Sequence, residues 1–118
     1  MALDPMVERR LLGLLGLGIR GLLAVLGVDR VREAVKKGTV RVAVVAADAS
    51  HHSREKVERL LVAKGVPIIS VPSAAVLGEA AGREATAVIG VVDAQLAKGI
   101  RALVEPTGAM QIGSRRKG

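Results

Sequence analysis

The chain has 118 residues, half of them apolar and a quarter charged, which is the balance of one globular domain and not of a disordered chain. It contains no Phe, Tyr or Trp, so its core must be aliphatic and it cannot stack single-stranded bases on aromatic rings. The absence of Cys excludes disulfides, thiolate metal sites and thiol catalysis, and it fits a cytoplasmic location. The formal charge is +7, and the first 104 residues hold +5 of it. Such an excess favours an anionic partner, most often nucleic acid, or else serves solubility alone.

Residues 9–30 form an apolar stretch that could be a membrane segment, a secretion signal or a phosphate-binding loop. Arg20 stands near its centre, where a spanning helix tolerates no charge, and no small-residue cleavage site follows it. Residues 16–21 match Gly-x-Gly-x-x-Gly, but a helical pattern precedes them and no acidic residue lies between Glu33 and Asp48. We therefore predict a helix over residues 6–17, ended by the glycines, and a short extended piece at residues 22–26.

The rest of the chain alternates helical and strand patterns. Apolar spacing and cap residues predict helices from residue 28 to the Lys36-Lys37-Gly38 ending, over residues 54–64 behind a Ser53 cap, over residues 74–81, and over residues 94–104 behind Asp93. β-branched apolar runs predict buried strands at residues 40–46, 66–71 and 85–92. This alternation implies a largely parallel sheet between helices. We predict one domain over residues 1–104 and a flexible basic tail over residues 105–118.

The cluster Asp48, Ser50, His51, His52 and Ser53 is the one that suggests catalysis. Adjacent histidines in a loop point in different directions, and the chain has no further His to complete a metal set. A glycine-flanked nucleophile elbow with an oxyanion hole is not evident. The simpler interpretation is a solvated turn whose acid and hydroxyl accept hydrogen bonds from local backbone amides. The sequence therefore predicts no enzyme, no metal and no cofactor.

Four motifs stand in order along the chain: RGLLAVLG, VDRVREAVKKG, VRVAVVAADAS and VPSAAVLGEAAGR. Together they resemble the kink-turn RNA-binding ribosomal-protein family over residues 8–104. That family includes an archaeal large-subunit protein, a box C/D snoRNP protein, small bacterial ribosome-associated relatives and the growth-arrest proteins. The matching positions are Gly27, Gly38, Ala46, Asp48, Val71, Pro72, Ser73, Leu77, Gly78, Ala80 and Gly82. The resemblance implies an α/β fold, a single three-layer α/β/α sandwich on a mixed four-stranded sheet with residues 22–26 as the edge strand.

The resemblance also implies where RNA would bind. Backbone N–H groups at the start of the helix after Gly27 would attract phosphate, and side chains there would contact non-Watson–Crick G·A pairs. The Val-Pro-Ser loop would shelter an extruded base. The positions carried over are Gly27, Asp29, Arg30, Arg32, Glu33, Lys36 and Lys37, with Val71, Pro72 and Ser73 opposite. We therefore expect a non-catalytic cytoplasmic protein that binds structured, kink-turn-like RNA and associates with ribosomes or rRNA.

The helix departs from the family pattern at three positions. Asp29 replaces an Asn, Arg30 replaces a Glu and Glu33 replaces a Lys. Arg30 could compensate by donating to O6 and N7 of guanine while Asp29 accepts from its N1 and N2 side. Alternatively, the two carboxylates repel phosphate oxygens and RNA binding is weakened or lost.

The edge strand departs as well, because Leu23, Val25 and Leu26 stand where basic residues are common in the family. An apolar edge suits a protein contact better than a hydrated RNA surface. The alternative function is therefore a protein-interaction module on the same fold, which associates with itself or with a protein partner through residues 22–26.

Overall fold

The computed structural model describes residues 4–108 and 110–111. Over these residues, helices and strands alternate along the chain. In order they are α1 (Pro5–Arg20), β1 (Ala24–Leu26), α2 (Val28–Lys36), β2 (Val42–Ala46), α3 (His51–Ala63), β3 (Ile68–Val71), α4 (Ala74–Ala81), β4 (Val88–Val91), α5 (Ala94–Val104) and β5 (Met110–Gln111), with one 3-10 turn at Glu105–Thr107.

The strands form one sheet in the order β1-β4-β2-β3-β5, in which β2 and β3 are parallel and every other neighbouring pair is antiparallel. The largely parallel sheet expected from alternation alone is therefore wrong, whereas the mixed sheet is confirmed. The reason lies in the segment that follows α4. The N–H of Thr86 donates to the carbonyl oxygen of Ala74 at 2.9 Å, so the chain returns beside the start of α4. Since β3 ended at that same end of the sheet, β4 must run back antiparallel to it.

Two aliphatic cores cover the two faces of the sheet, which confirms the three-layer α/β/α sandwich. On one face α1, α4 and α5 pack against the sheet through Leu11, Leu15, Leu77 and Ile100. On the other face α2 and α3 pack through a second set, which is Val31, Val35, Val57 and Leu61. Every residue of β2 is buried, because each of its side chains enters one core or the other. This strand is the covered centre that its unbroken apolar run predicts.

Helix α1 continues three residues beyond its predicted end. Gly16 and Gly18 lie buried inside it, where they allow neighbouring elements to approach closely. A Cβ at Gly16 would lie 3.5 Å from the carbonyl oxygen of Ala80 in α4, and one at Gly18 would collide with the side chain of Leu96 in α5. These two glycines therefore serve helix packing and do not end the helix, whereas Gly21, the last glycine of the motif, caps its C-terminus as predicted.

The edge position of β1 is confirmed, although the strand begins at Ala24 and is shorter than residues 22–26. At the other edge, β5 adds two residues that pair antiparallel with Ile68 and Ile69 of β3. The cations of the predicted basic tail, Arg115, Arg116 and Lys117, lie outside the described residues. Among the helices that the structure describes, none combines the length and the apolar character that a membrane crossing requires.

Candidate functional site

Both halves of the predicted RNA-binding surface lie at the same end of the sheet. The N–H of Gly27 donates to the carbonyl oxygen of Val88 at 3.0 Å, and Val88 pairs with Val45 of β2. Directly after β2, the N–H of Ala47 donates to the carbonyl oxygen of Val71 at 2.7 Å. Neighbouring strands lie about 4.8 Å apart, so three strand intervals place Gly27 about 14 Å from the end of β3. The start of α2 and the β3–α4 loop therefore border one surface.

The start of α2 is open. Gly27 precedes the helix with φ 92° and ψ 155° and offers no side chain to cap it. Its carbonyl oxygen accepts the hydrogen bond from the N–H of Val31. Among the described residues, the N–H groups of Val28, Asp29 and Arg30 find no acceptor. The starts of the other four described α-helices each carry a side-chain cap, so α2 is the one described α-helix whose positive dipole end has no side-chain acceptor.

The charged side chains along α2 are also free. Asp29, Arg30, Glu33, Lys36 and Lys37 are exposed, and within the described part of the chain none of them forms an ion pair or a side-chain hydrogen bond. Their cations outnumber their carboxylates by three to two. The open helix start therefore continues into a basic face whose charges are not neutralised by the protein itself.

Arg32 differs from these residues because it is half-buried against α3. Its Nε is buried and has no hydrogen-bond partner in the described residues. A groove of about 330 Å³ lies between the two helices here, lined by Arg32 and by His52, Glu55, Lys56 and Arg59 of α3. Glu55 is already engaged, since its Oε2 accepts a hydrogen bond from Nη2 of Arg59 at 3.3 Å. Lys56 and Arg59 are thus basic neighbours of α2 that sequence reasoning missed, because the packing of α3 on α2 is a tertiary contact.

The β3–α4 loop presents a different chemistry. The Val71 side chain is buried in the core, and Pro72 is exposed as an apolar surface. The hydroxyl Oγ of Ser73 accepts a hydrogen bond from the N–H of Val76 at 3.1 Å and so caps α4. Of the three loop residues predicted to contact RNA, Pro72 is the most accessible, whereas Val71 and Ser73 shape the loop.

Asp48 fixes the position of this loop. Its Oδ1 accepts a hydrogen bond from the N–H of Ala74 at 2.8 Å, which connects the β2–α3 turn to the start of α4. The prediction that Asp48 bonds local backbone amides is therefore wrong, because its partner lies 26 positions further along the chain. The corresponding prediction for Ser50 is confirmed, since its Oγ accepts from the N–H of Ser53 at 3.1 Å.

The same hydrogen bond makes Ser50, and not Ser53, the cap of α3, so the helix begins at His51. Both histidines lie in its first turn instead of in a loop. The His51 side chain is 86% exposed and its Nε2 lies 3.6 Å from Oε1 of Glu55, an ion-pair geometry on an open surface. In the described ranges, no three His, Cys, Asp or Glu side chains come together as a metal site would require.

The fold and the basic α2 face define a ribosomal-protein type of α/β sandwich, and the sequence agrees with this. Residues 22–100 match the model of the ribosomal protein L7Ae/L30e/S12e/Gadd45 family. The chain belongs to this family.

Two solved structures are similar to this chain. A protein of unknown function from Bacillus halodurans is 32% identical with a TM-score of 0.75, and the match covers 80% of this chain and 96% of that one. The 15.5kD RNA binding protein of Giardia lamblia has the same TM-score of 0.75 at 23% identity and 92% coverage of each chain, which shows a shared fold. Among curated protein sequences, none matches this chain significantly.

Proposed function

We propose that this protein binds structured RNA through the start of α2 and the β3–α4 loop. The observation that carries the proposal is the open helix start at Gly27, whose three free N–H groups lie beside the unpaired cations of α2. Free donors at the positive end of a helix are suited to a phosphate oxygen. Membership of a family named for ribosomal proteins supports this proposal, as does the shared fold with a protein called an RNA binding protein.

In this proposal, base recognition depends on Arg30 and Asp29. Both side chains are exposed in the first turn of α2 and neither has a partner among the described residues. The guanidinium of Arg30 can donate two parallel hydrogen bonds to O6 and N7 of a guanine, and the carboxylate of Asp29 can accept from the N1 and N2 side of the base. Exposed Pro72 would then lie against a base displaced from the stack.

The two contact regions lie about 14 Å apart at one end of the sheet, close enough for one RNA to touch both, and the family of the chain is named for ribosomal proteins. We therefore extend the proposal to kink-turn-like RNA, as found in ribosomal and other structured RNAs, and to a cytoplasmic protein associated with rRNA or the ribosome.

Arg30→Ala tests the proposal. Loss of a bidentate contact to guanine costs about 1–3 kcal/mol, so we expect the affinity for a kink-turn RNA to fall by about 5- to 150-fold. The measurement is a titration of labelled RNA with purified protein at several salt concentrations, since phosphate contacts weaken as salt rises.

Arg9→Ala is the matched control, because Arg9 is also an exposed arginine without an ion pair in the described residues but lies on α1. It should leave the affinity within about twofold, since it is outside the proposed surface. Equal losses in the two variants, or an affinity that does not change with salt, would show that RNA does not bind at the start of α2.

A second candidate function is favoured by one observation at the edge strand. Leu22 is 86% exposed and Leu23 is 36% exposed, and both precede the unpaired edge of β1. An exposed apolar edge can add a strand from another chain. This protein-interaction module would use Leu22 and Leu23, because Val25 and Leu26 are partly buried against the cores.

A further inference from the structure

We propose a second RNA-contacting site at the opposite end of the sheet, in a cavity that would bind phosphate groups of the strand running along α2. The proposal rests on the proposed function and extends it, because, Gly38 apart, the residues that line the second site are not among the positions matched to the family.

The cavity has a volume of about 730 Å³ and lies where β2 and β3 begin. One wall is the face of α5 that carries Ala94 and Ala97, and another is the backbone at Gly38 and Gly65. The charged side chains that line it are four cations, Arg41, Lys64, Lys98 and Arg101, and one carboxylate, Glu105. This excess of positive charge around a concave surface favours an anionic ligand.

The cations of the cavity are available for a ligand. The exposed side chains of Arg41, Lys64 and Lys98 form no ion pair and no hydrogen bond within the part of the chain that the structure describes. Nη2 of Arg101 lies 3.5 Å from Oε2 of Glu105, while its Nε is buried without an acceptor. A phosphate in the cavity would instead accept hydrogen bonds from exposed Arg41, Lys64 and Lys98, for which the described residues provide no acceptor.

The ends of α2 and α3 lie at this cavity, and their terminal carbonyl groups could compete with a ligand for the cations. Backbone N–H groups already satisfy three of the last four carbonyls of each helix. The N–H of Thr39 donates to the carbonyl oxygen of Ala34 at 3.1 Å, and the N–H of Val66 donates to that of Leu61 at 2.9 Å. Such capping is the usual way in which a left-handed glycine ends a helix. The side-chain cations therefore stay free for an external anion.

Exposed cations stand at both ends of α2, with Glu33 between them, and this spacing favours an RNA strand over a free phosphate compound. The nine residues of α2 span about 14 Å. Exposed Lys36 ends the helix, exposed Lys37 caps it, and the next residue, Gly38, already lines the cavity. A strand bound at Arg30 can therefore reach the cations at the other end of the helix and, beyond them, the cavity.

The test compares a kink-turn RNA with the same RNA carrying a single-stranded extension. The double variant Arg41→Gln with Lys98→Gln removes two cavity cations, while Arg9→Gln with Arg10→Gln removes two exposed cations of α1 and is matched in net charge. Each single-strand phosphate contact contributes about 0.7 to the slope of log affinity against log salt. For the extended RNA we expect the cavity variant to lower that slope by about 1.4 relative to the control variant. This corresponds to about a sevenfold smaller loss of affinity between about 50 and 200 mM salt.

Backbone amide spectra recorded during a titration with pyrophosphate provide a second measurement. We expect saturable shifts at Gly38, Gly65 and Ala94 that persist in the control variant and disappear in the cavity variant. Equal slopes for the two variants on the extended RNA would overturn the RNA assignment, and pyrophosphate shifts alone would then assign the cavity to a free phosphate compound. Equal slopes without pyrophosphate shifts would overturn the site altogether. If kink-turn RNA does not bind at all, the proposed function fails, whereas the pyrophosphate titration still reports on the cavity.

Discussion

Leu22 has an unfavourable backbone conformation that its side chain does not explain. Its φ is +63°, and it is the one residue other than glycine with a positive φ among those described. This region costs an L-amino acid about 1–2 kcal/mol relative to the right-handed region. The side chain is 86% exposed and so regains little of that cost by burial. The turn between α1 and β1 therefore stores strain at a position where a leucine contributes little to the fold.

Replacement of Leu22 by Gly should stabilise the protein by about 0.5–1 kcal/mol. Glycine adopts positive φ without strain, and its larger backbone entropy in the unfolded chain offsets only part of the gain. Because the chain has no Trp or Tyr, unfolding in denaturant is best followed by far-ultraviolet circular dichroism. The control is Leu23→Gly, which should destabilise, since Leu23 has no positive φ and is more buried. A loss of stability in Leu22→Gly would mean that the exposed side chain makes a contact that matters for folding.

One glycine in α4 and one in α5 differ in the space that an added Cβ would find. A Cβ at Gly78 in α4 would lie 2.7 Å from both the N and the Cα of Ala85, which are backbone atoms that cannot move cheaply. A Cβ at Gly99 in α5 would meet no atom within 4 Å. The first glycine is therefore required for the loop before β4 to cross α4, whereas the second only lowers helix propensity.

Alanine at these two positions should consequently change stability in opposite directions. Gly78→Ala should destabilise by about 1–3 kcal/mol through overpacking. Gly99→Ala should stabilise by about 0.5–1 kcal/mol through its better helix propensity. Thermal and denaturant unfolding of the pair measure this difference. If Gly78→Ala were as stable as the native chain, the loop at Ala85 could not pack on α4 as closely as described.

The ends of elements could be predicted from sequence where the capping interaction is local. Asp93 lies next to the helix that it begins and is confirmed as its cap, and the predicted bounds of α4, residues 74–81, are confirmed because Ser73 and Gly82 cap it locally. Which of its glycines ends α1 could not be predicted, because Gly16 and Gly18 are explained by α4 and α5, which lie far along the chain. For α3, two serines three residues apart are equally plausible caps, and local chemistry alone does not choose Ser50 over Ser53.

At the scale of the whole molecule, the motifs predicted the fold class and the mixed sheet, whereas helix–strand alternation gave the wrong strand directions. Periodicity assigns elements but carries no information about direction, which depends here on the return of the chain at Thr86 beside Ala74. The motifs likewise predicted only part of the candidate surface. Motif position placed Gly27 and Pro72 on it, but the contribution of Lys56 from α3 and the hydrogen bond from Ala74 to Asp48 emerge only from tertiary structure.

The oligomeric state separates the two candidate functions. We expect sedimentation to give a monomer of 12.2 kDa, because β1 has only three residues and so offers few hydrogen bonds to a second chain. The double variant Leu22→Glu with Leu23→Glu should then sediment as the native protein does and bind RNA with similar affinity. A stable dimer that this variant converts to a monomer would instead support the protein-interaction module.

The hydrogen bond between Asp48 and Ala74 bears on which partner must change its conformation when a complex forms. It holds the β3–α4 loop to the turn after β2, and the strand pairing of Gly27 with Val88 holds the start of α2 to the same sheet. Both halves of the surface are thus preorganised, and complex formation should leave their backbone nearly unchanged. The cost of conformational adjustment then falls on the nucleic acid, so sequences that bend readily should be selected even at positions the protein does not touch.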